Sequence, residues 1–345
     1  MNIQIRSFIK GGNHGQYLQA LGVRYLIKNH LPDAEVSHLD YNNHEKEEFY
    51  IQLKGFHLAK YLTMKYYWNK NFEFSGFDSS DITVYGSDMI WHLESGLFPG
   101  DPVFFGDRDS GKKLAYAPSV AHRGKNEPDW LGGKLDQFEW IGVRDENTAG
   151  LVKDHSNKEP VFVIDPCFHL LNSPHLTKLD EVKRKNVVSI YSSYPTQILA
   201  SFKQGVDHND YSEQFERVDY YGYFPRKKFL TNLKKQFQNP IQTVYGIAES
   251  KLLLTSTFHG VMMALMTKTP FIAVSSPNLY ARLQSPINKC FGSHRLISKD
   301  ELNEINIQQI RNYLDTGDLN FKGVEKYISE SRIAFQDQLS LLVQN

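Results

Sequence analysis

Short apolar segments alternate with segments of helical periodicity along most of this chain, and that alternation limits the folds open to it. Apolar runs of strand length lie at residues 3–5, 34–39, 81–85, 113–117, 140–143, 161–164, 187–191, 217–221, 251–254 and 270–274. Helices are predicted between them at residues 17–26, 45–68, 130–138, 145–153, 195–203, 229–237 and 241–248. This order is typical of βαβ units, and it predicts an α/β fold with mostly parallel sheets.

Chain length and one polar segment predict two domains. The chain has 345 residues, whereas a single hydrophobic core stops growing near roughly 250–300 residues. Residues 172–185 are polar and lack periodicity, which predicts a linker between a Rossmann-like domain at 1–171 and a second one at 186–345. Open α/β sheets bind ligands at the carboxyl ends of their strands, so we expect the active site in a central cleft.

The C-terminal tail has an apolar stripe at helical spacing. This pattern predicts a last helix that packs back across the domains. Its apolar positions are Val324, Ile328, Phe335, Leu339 and Leu342.

Composition narrows the class of protein. Lys and Arg number 39, as do Asp and Glu, so the chain lacks the basic field of a dedicated nucleic-acid binder. Two cysteines far apart make neither a disulfide framework nor a zinc-ligand pattern. The apolar runs are shorter than the ~18 residues of a membrane span. These features predict a cytoplasmic protein and are compatible with a location at the inner face of the membrane. They leave the oligomeric state open.

A glycine-bearing loop follows the first predicted strand. Gly11, Gly12 and Asn13 lie in the run Lys-Gly-Gly-Asn-His-Gly that leads into the first predicted helix. Glycines there allow a ligand to approach the backbone, and a helix N-terminus favours an anion. The alternative is a tight turn that needs glycine for its backbone conformation alone.

A serine and an aspartate follow the strand at residues 81–85. Ser87 and Asp88 are placed to hydrogen-bond the hydroxyl groups of a substrate. The alternative is that they cap a following helix.

The most informative segment spans residues 255–260, Thr-Ser-Thr-Phe-His-Gly, after an apolar strand. Ser256 and Thr257 provide hydroxyl groups at a helix start, which suits a phosphate. His259 in the first turn is a candidate acid/base, and Gly260 is expected to leave room for a ligand. The alternative is a core histidine packed against Phe258.

Taken in order, these motifs resemble those of the polysaccharide pyruvyl transferase family. Residues 11–15 resemble its Gly-Asn-x-Gly-Asp turn, 84–91 its Gly-Ser-Asp-x-x-Trp element, 115–120 its Tyr-Ala-x-Ser-Phe-Gly strand end, and 141–146 its Ser-Val-Arg-Asp/Glu motif. Residues 240–260 resemble its signature ending Ser-Phe-His-Gly, with Thr257 in place of the usual Ser. Asn278, Arg282 and Arg295 resemble its Asn…Arg…Arg tail.

The resemblance implies a GT-B-like fold and phosphoenolpyruvate as donor, with no required metal or other cofactor. It implies a pyruvate ketal as product, formed on a sugar or a lipid-linked saccharide of a cell-surface polysaccharide or its precursor. His259 would be the acid/base, and Arg144 and Arg282 the anion partners. Replacing either arginine by Met is then predicted to raise the donor KM and to leave the fold intact. The alternative for each arginine is a salt bridge.

Two other functions stay open. One is a GT-B glycosyltransferase that uses a nucleotide-sugar, and the other is a non-catalytic sugar-binding protein of polysaccharide assembly. Some family members carry an Arg just after the first strand of the second domain. Here that strand reads Ser-Ile-Tyr-Ser at residues 189–192, without Arg, and in this it departs from those members.

Overall fold

A computed structural model describes residues 1–41, 48–49, 51–77, 80–94, 100–124, 127–205, 215–222, 235, 237–283 and 285–344. The chain divides into two compact units. The first unit contains Met1–Leu170, Gln284–Pro286 and Glu325–Asn345, and the second contains Leu171–Leu283 and Ile287–Val324.

The first unit is built on a parallel sheet in the order β3-β2-β1-β4-β5-β6-β7. Its strands are β1 (Asn2–Arg6), β2 (Glu35–Leu39), β3 (Phe74–Ser75), β4 (Ile82–Tyr85), β5 (Lys112–Tyr116), β6 (Phe138–Val143) and β7 (Val161–Phe162). Every pairing between these strands is parallel. The winding direction reverses between β1 and β4, and such a reversal opens a crevice at the carboxyl ends of the two strands.

The helices of the first unit follow its strands. They are α1 (His14–His30), α2 (Gly55–Asn71), α3 (Leu131–Leu135) and α4 (Glu146–His155). The helix predicted over 45–68 is partly wrong, because α2 begins at Gly55 and ends at Asn71. Lys54 is extended and Gly55 has a φ of +55°, so the backbone leaves helical geometry just before α2. Residues 42–47 and 50 lie outside the described residues.

The second unit has a parallel sheet in the order β12-β11-β10-β8-β9. Its strands are β8 (Lys185–Ser192), β9 (Arg217–Gly222), β10 (Ser250–Thr255), β11 (Phe271–Val274) and β12 (Leu296–Ile297). Its helices are α5 (Pro195–Gly205), α6 (Pro240–Ala248), α7 (Phe258–Met266), α8 (Pro277–Leu283), α9 (Lys299–Asn303) and α10 (Ile307–Leu314). The winding direction reverses between β8 and β10. Most of the helix predicted at 229–237 lies outside the described residues.

The last helix, α11 (Phe321–Gln344), confirms the prediction that the tail packs back. Phe335 and Leu339 are buried in the first unit's core, and the Phe335 ring lies 5.1 Å from that of Tyr116. The tail was expected within a domain spanning 186–345. From Glu325 onward it belongs instead to the first unit, because its apolar stripe completes that unit's core. Residues 172–185 are part of the second unit.

Candidate active site

In the second unit, two serines meet where the winding of the sheet reverses. Ser192 ends β8 and Ser256 follows β10, and their Oγ atoms are 2.7 Å apart although 64 residues separate them. Ser192 also accepts a hydrogen bond from the amide of Tyr194 at 2.9 Å. The reversal therefore places two hydroxyl groups at the carboxyl edge, where doubly wound sheets bind ligands.

The turn into α7 is fixed by threonine hydroxyls. Thr257 is the N-cap, and its Oγ1 accepts from the Gly260 amide at 3.1 Å. Thr255 donates to the Tyr191 carbonyl at 2.6 Å and accepts from the Thr257 amide at 3.1 Å. These bonds hold the helix start rigidly at the strand end. Since the first-turn amides of a helix lack partners within the helix, they are suited to bind an anion.

The role expected for Gly260 is wrong. A Cβ at this position would lie 1.9 Å from Oγ1 of Thr255. Glycine is therefore required there because the helix packs tightly against the end of β10, and it does not leave space for a ligand.

Phe258 joins two predicted site residues of the second unit. The ring of His259 meets the ring of Phe258 edge-on, with 5.5 Å between the two centroids. The Arg282 guanidinium lies 4.7 Å from the centroid of that same Phe258 ring. His259 is 5% exposed, whereas Arg282, in the last turn of α8, is partly exposed. The structure thus brings together a histidine, an arginine and the hydroxyls of Ser256 and Thr257 around one helix start.

In the first unit, residues 86–88 are held rigidly after β4. The Gly86 amide donates to the Arg6 carbonyl at 3.0 Å, and the Ser119 amide donates to the Asp88 carbonyl at 2.9 Å. Gly86 has a φ of +130°, and a Cβ there would lie 2.0 Å from the Tyr116 carbonyl oxygen. Only glycine fits this contact between β4 and β5.

The helix-cap alternative for Ser87 and Asp88 is wrong. Residues 89–94 are all described, and they contain no helix. Ser87 is buried, and among the residues that the structure describes its Oγ has no hydrogen-bond partner. The same holds for Ser7, which follows the neighbouring strand β1. Two buried hydroxyls thus lie at the strand ends beside the winding reversal of this sheet.

Arg144 lies between two carboxylates. Its Nη1 is 2.8 Å from Oδ2 of Asp165, and its Nη2 is 3.8 Å from Oδ1 of Asp88. Gln19 donates to the same Asp165 oxygen at 2.5 Å. The Arg144 side chain is only 2% exposed. These contacts favour the salt-bridge alternative for Arg144 over binding of the donor.

Gln19 and Ser192 had no predicted role in the sequence. Asp165 had one signal, since the Asp-Pro step at 165–166 resembles the family's, but its pairing with Arg144 was not predicted. Gln19 lies inside α1, and Ser192 closes β8. Their contacts depend on strand order, which sequence spacing does not reveal.

The loop before α1 holds the other predicted residues. Asn13 is the N-cap, with Oδ1 accepting from the Gly15 amide at 2.9 Å. The Gly11 carbonyl accepts from Nε1 of Trp68 at 3.3 Å. Gly12 lacks a positive φ, and a Cβ there would meet nothing within 4 Å. The turn therefore does not require glycine at position 12, which favours the interpretation that a ligand approaches the backbone.

His14 begins α1 and is fully buried. Burial, with a smaller contribution from the nearby charge of Lys60, lowers the pKa of His14 from 6.5 to about 3. The imidazole is therefore neutral at neutral pH. Because the ring is neutral, no buried positive charge lies at the positive end of the α1 dipole.

Within the described ranges, no group of three or more His, Cys, Asp or Glu residues is arranged to hold a metal ion. In the same part of the chain, no helix has both the length and the apolar character needed to cross a membrane.

Comparison with solved structures shows the fold. UDP-GlcNAc 2-epimerase from Neisseria meningitidis bound to UDP-GlcNAc matches with a TM-score of 0.52 and 10% identity over 100% of both chains. The S. aureus MnaA–UDP structure matches with a TM-score of 0.50 and 10% identity, over 93% of this chain and 90% of that one. The fold is GT-B-like, with two Rossmann-like domains.

Comparison of sequences gives the family. No curated protein matches this chain. The sequence model of the polysaccharide pyruvyl transferase family matches residues 13–278, which run from the N-cap of α1 into α8. Because that match spans well over half of the chain, this protein belongs to the polysaccharide pyruvyl transferase family.

Proposed function

We propose that the protein transfers a pyruvyl group from phosphoenolpyruvate to two hydroxyls of a sugar, forming a pyruvate ketal. The sugar would belong to a cell-surface polysaccharide or its precursor, free or lipid-linked. Family membership supports transfer chemistry in general. The observation that carries the proposal is the start of α7, where hydroxyls, a histidine and an arginine converge on one helix N-terminus.

The donor carries a phosphate and a carboxylate, and the second unit offers a group suited to each. The first-turn amides of α7 and the hydroxyls of Ser256 and Thr257 suit the phosphate. The Thr257 oxygen caps the helix and lies 3.2 Å from Oγ1 of Thr255, so a bound phosphate would take the Thr257 O–H in place of that contact. Arg282 suits the carboxylate, because a guanidinium binds carboxylates through paired N–H groups.

The chemistry needs one well-placed proton donor. His259 would protonate the methylene carbon of the donor, which leaves an oxocarbenium-like centre at C2. One sugar hydroxyl adds there and loses its proton. A second hydroxyl then displaces phosphate and loses its proton, so that one donor and one diol give one ketal and one hydrogen phosphate. The step requires no change of oxidation state.

The first unit would bind the acceptor. Ser87 and Asp88 follow β4 at the winding reversal, and a carboxylate there can accept hydrogen bonds from sugar hydroxyls. Arg144 would act as a positioning residue, because its ion pairs with Asp88 and Asp165 fix the carboxylate that meets the sugar. Gly12 would let the acceptor approach the backbone before α1.

The test is phosphate release from phosphoenolpyruvate in the presence of a panel of free and lipid-linked saccharides, with the ketal identified by mass spectrometry. We expect His259→Asn to lower kcat by roughly 10²- to 10⁴-fold with a smaller change in donor affinity. His175→Asn is the matched control, since His175 is exposed elsewhere in the second unit. Near-normal turnover by folded His259→Asn would reject the assignment of the acid/base.

The same panel separates the alternative functions. Turnover with nucleotide-sugars and none with phosphoenolpyruvate would show a glycosyltransferase. Saccharide binding without turnover of either donor would show a non-catalytic binding protein.

A further inference from the structure

Helix α2 (Gly55–Asn71) exposes an apolar line to solvent. Met64 and Trp68 are its buried residues. Leu58, Leu62 and Tyr66 follow one another at four-residue intervals, so they share one side of the helix, turned away from Met64 and Trp68. Their exposed fractions are 36%, 52% and 59%. Single exposed apolar residues are ordinary on a protein surface, but a continuous line of them marks an interaction surface.

Lysines flank this line on both sides. At helical periodicity, Lys65 and Lys70 fall on opposite flanks of the Leu58–Leu62–Tyr66 line, and both are exposed. The Lys70 ammonium lies 5.9 Å from the centroid of the Tyr66 ring.

The helix itself carries positive charge only. It contains Lys60, Lys65 and Lys70 and no Asp or Glu, and Lys54 directly precedes it. Glu73, just beyond its end, is paired with Arg24 at 3.0 Å. The exposed face therefore combines apolar side chains with the positive charges of Lys65 and Lys70.

We infer that this face of α2 lies on an anionic membrane surface. Leucine and tyrosine side chains would enter the boundary between headgroups and acyl chains, while the lysines on either side reach anionic headgroups. A second copy of the chain fits less well, because a symmetric contact through this face would bring like-charged lysines together. The inference concerns where the protein works, and it stands whether or not the proposed donor is correct.

Such docking has a consequence for the proposed acceptor. An enzyme held at the membrane encounters saccharides attached to membrane lipids at high local concentration. α2 belongs to the first unit, the same unit in which Asp88 follows β4. Among the acceptors of the proposed function, the lipid-linked class is therefore the one that this surface favours.

The experiment is vesicle flotation with the full-length protein. Vesicles of phosphatidylcholine alone are compared with vesicles of phosphatidylcholine mixed with phosphatidylglycerol. We expect flotation with the anionic vesicles, with a loss as salt is raised. Leu58→Ser combined with Leu62→Ser should weaken binding by roughly tenfold or more, and Lys65→Glu combined with Lys70→Glu by roughly tenfold.

Control variants change the same residue types on other surfaces. Ile333→Ser with Leu341→Ser removes exposed apolar side chains of α11, and Lys178→Glu with Lys322→Glu reverses exposed lysines. Both should float like the wild-type protein. Thermal melting checks that each variant is folded.

Three results would overturn the inference. The first is the absence of flotation with anionic vesicles, and the second is equal flotation with neutral ones. The third is a change of oligomeric state in the folded leucine variant by light scattering, which would assign the face to a second copy. Phosphate release from phosphoenolpyruvate with soluble acceptors is measured on the same variants. It separates failure of the membrane inference from failure of the proposed function.

Discussion

Replacing Arg144 by Met should destabilise the first unit strongly. The guanidinium is 2.8 Å from the Asp165 carboxylate, and the two side chains are 2% and 1% exposed. Loss of the arginine leaves a buried carboxylate without its cation. Removing one partner of such a pair costs about 3–5 kcal/mol. We expect about 3 kcal/mol, because Asp165 keeps hydrogen bonds from Gln19 and from the Cys167 amide.

Tryptophan fluorescence reports this change selectively. All tryptophans of the chain, Trp68, Trp91, Trp130 and Trp140, lie in the first unit. Urea unfolding followed by fluorescence therefore measures the stability of that unit. Adding Asp165→Asn to Arg144→Met removes the uncompensated charge, and we expect it to restore at least about 1 kcal/mol.

A different outcome would refute the reasoning. The free energy of unfolding of Arg144→Met could lie within about 0.5 kcal/mol of the wild-type value. The ion pair would then not be a structural element, and the expectation from the sequence that this variant keeps its fold intact would be supported. If Asp165→Asn restores nothing, the carboxylate is not the source of the loss. Arg144→Lys separates charge from geometry, because an ammonium cannot hold both carboxylates through a planar fork.

Three further predictions follow from the geometry. Arg282→Met should raise the donor KM in the phosphate-release assay with an unchanged melting temperature, because this side chain is partly exposed. Gly260→Ala should lower the free energy of unfolding by about 1–3 kcal/mol in calorimetry, since the added Cβ would clash with Oγ1 of Thr255. Gly12→Ala should leave stability unchanged, because its Cβ would meet nothing, and should raise the acceptor KM. Burial lowers the pKa of His14 and of His38 from 6.5 to about 3. The stability that these neutral groups give the first unit is therefore complete above pH 6.5 and is lost as the pH falls toward 3. The urea midpoint followed by tryptophan fluorescence should show this decrease, and the decrease should be smaller in His14→Gln.

The fold could be predicted largely from the sequence, because parallel strands covered on both faces read as continuous apolar runs. β4, Ile-Thr-Val-Tyr, is buried at every position and was recognisable on that basis. The α2 boundary was not recognisable, since aromatic and leucine residues continue along the segment before it and the left-handed Gly55 leaves only a weak signal. The strand order was also hidden, because long-range pairing leaves no local pattern.

The site could be predicted only in pieces. Ser256, Thr257 and His259 follow one strand directly, and a strand-to-helix junction is visible in sequence. The Ser192–Ser256 contact depends on β8 lying beside β10. Likewise, Arg144 and Asp165 were each recognisable as motif residues, but their ion pair was not predictable, because it forms between loops that follow different strands.

The three arginines in motifs that resemble the family's show why resemblance alone does not assign a role. Arg295 is fully buried, and its five N–H donors are all used. Two bond to the carboxylate of Asp318, and the others bond to backbone carbonyls of β11 and of the C-terminal end of α10. A guanidinium so engaged has no donor left for a substrate, which makes Arg295 structural.

Arg144 contacts two carboxylates, so it can fix an acidic side chain but has little charge to offer an anion. The Arg282 guanidinium lies 4.7 Å from the centroid of the Phe258 ring, and a cation–π contact of this kind uses none of its N–H donors. The proposed donor therefore depends on Arg282 more than on the other two. A donor KM that rises in Arg282→Met and stays unchanged in folded Arg144→Lys is the result that this division of roles requires.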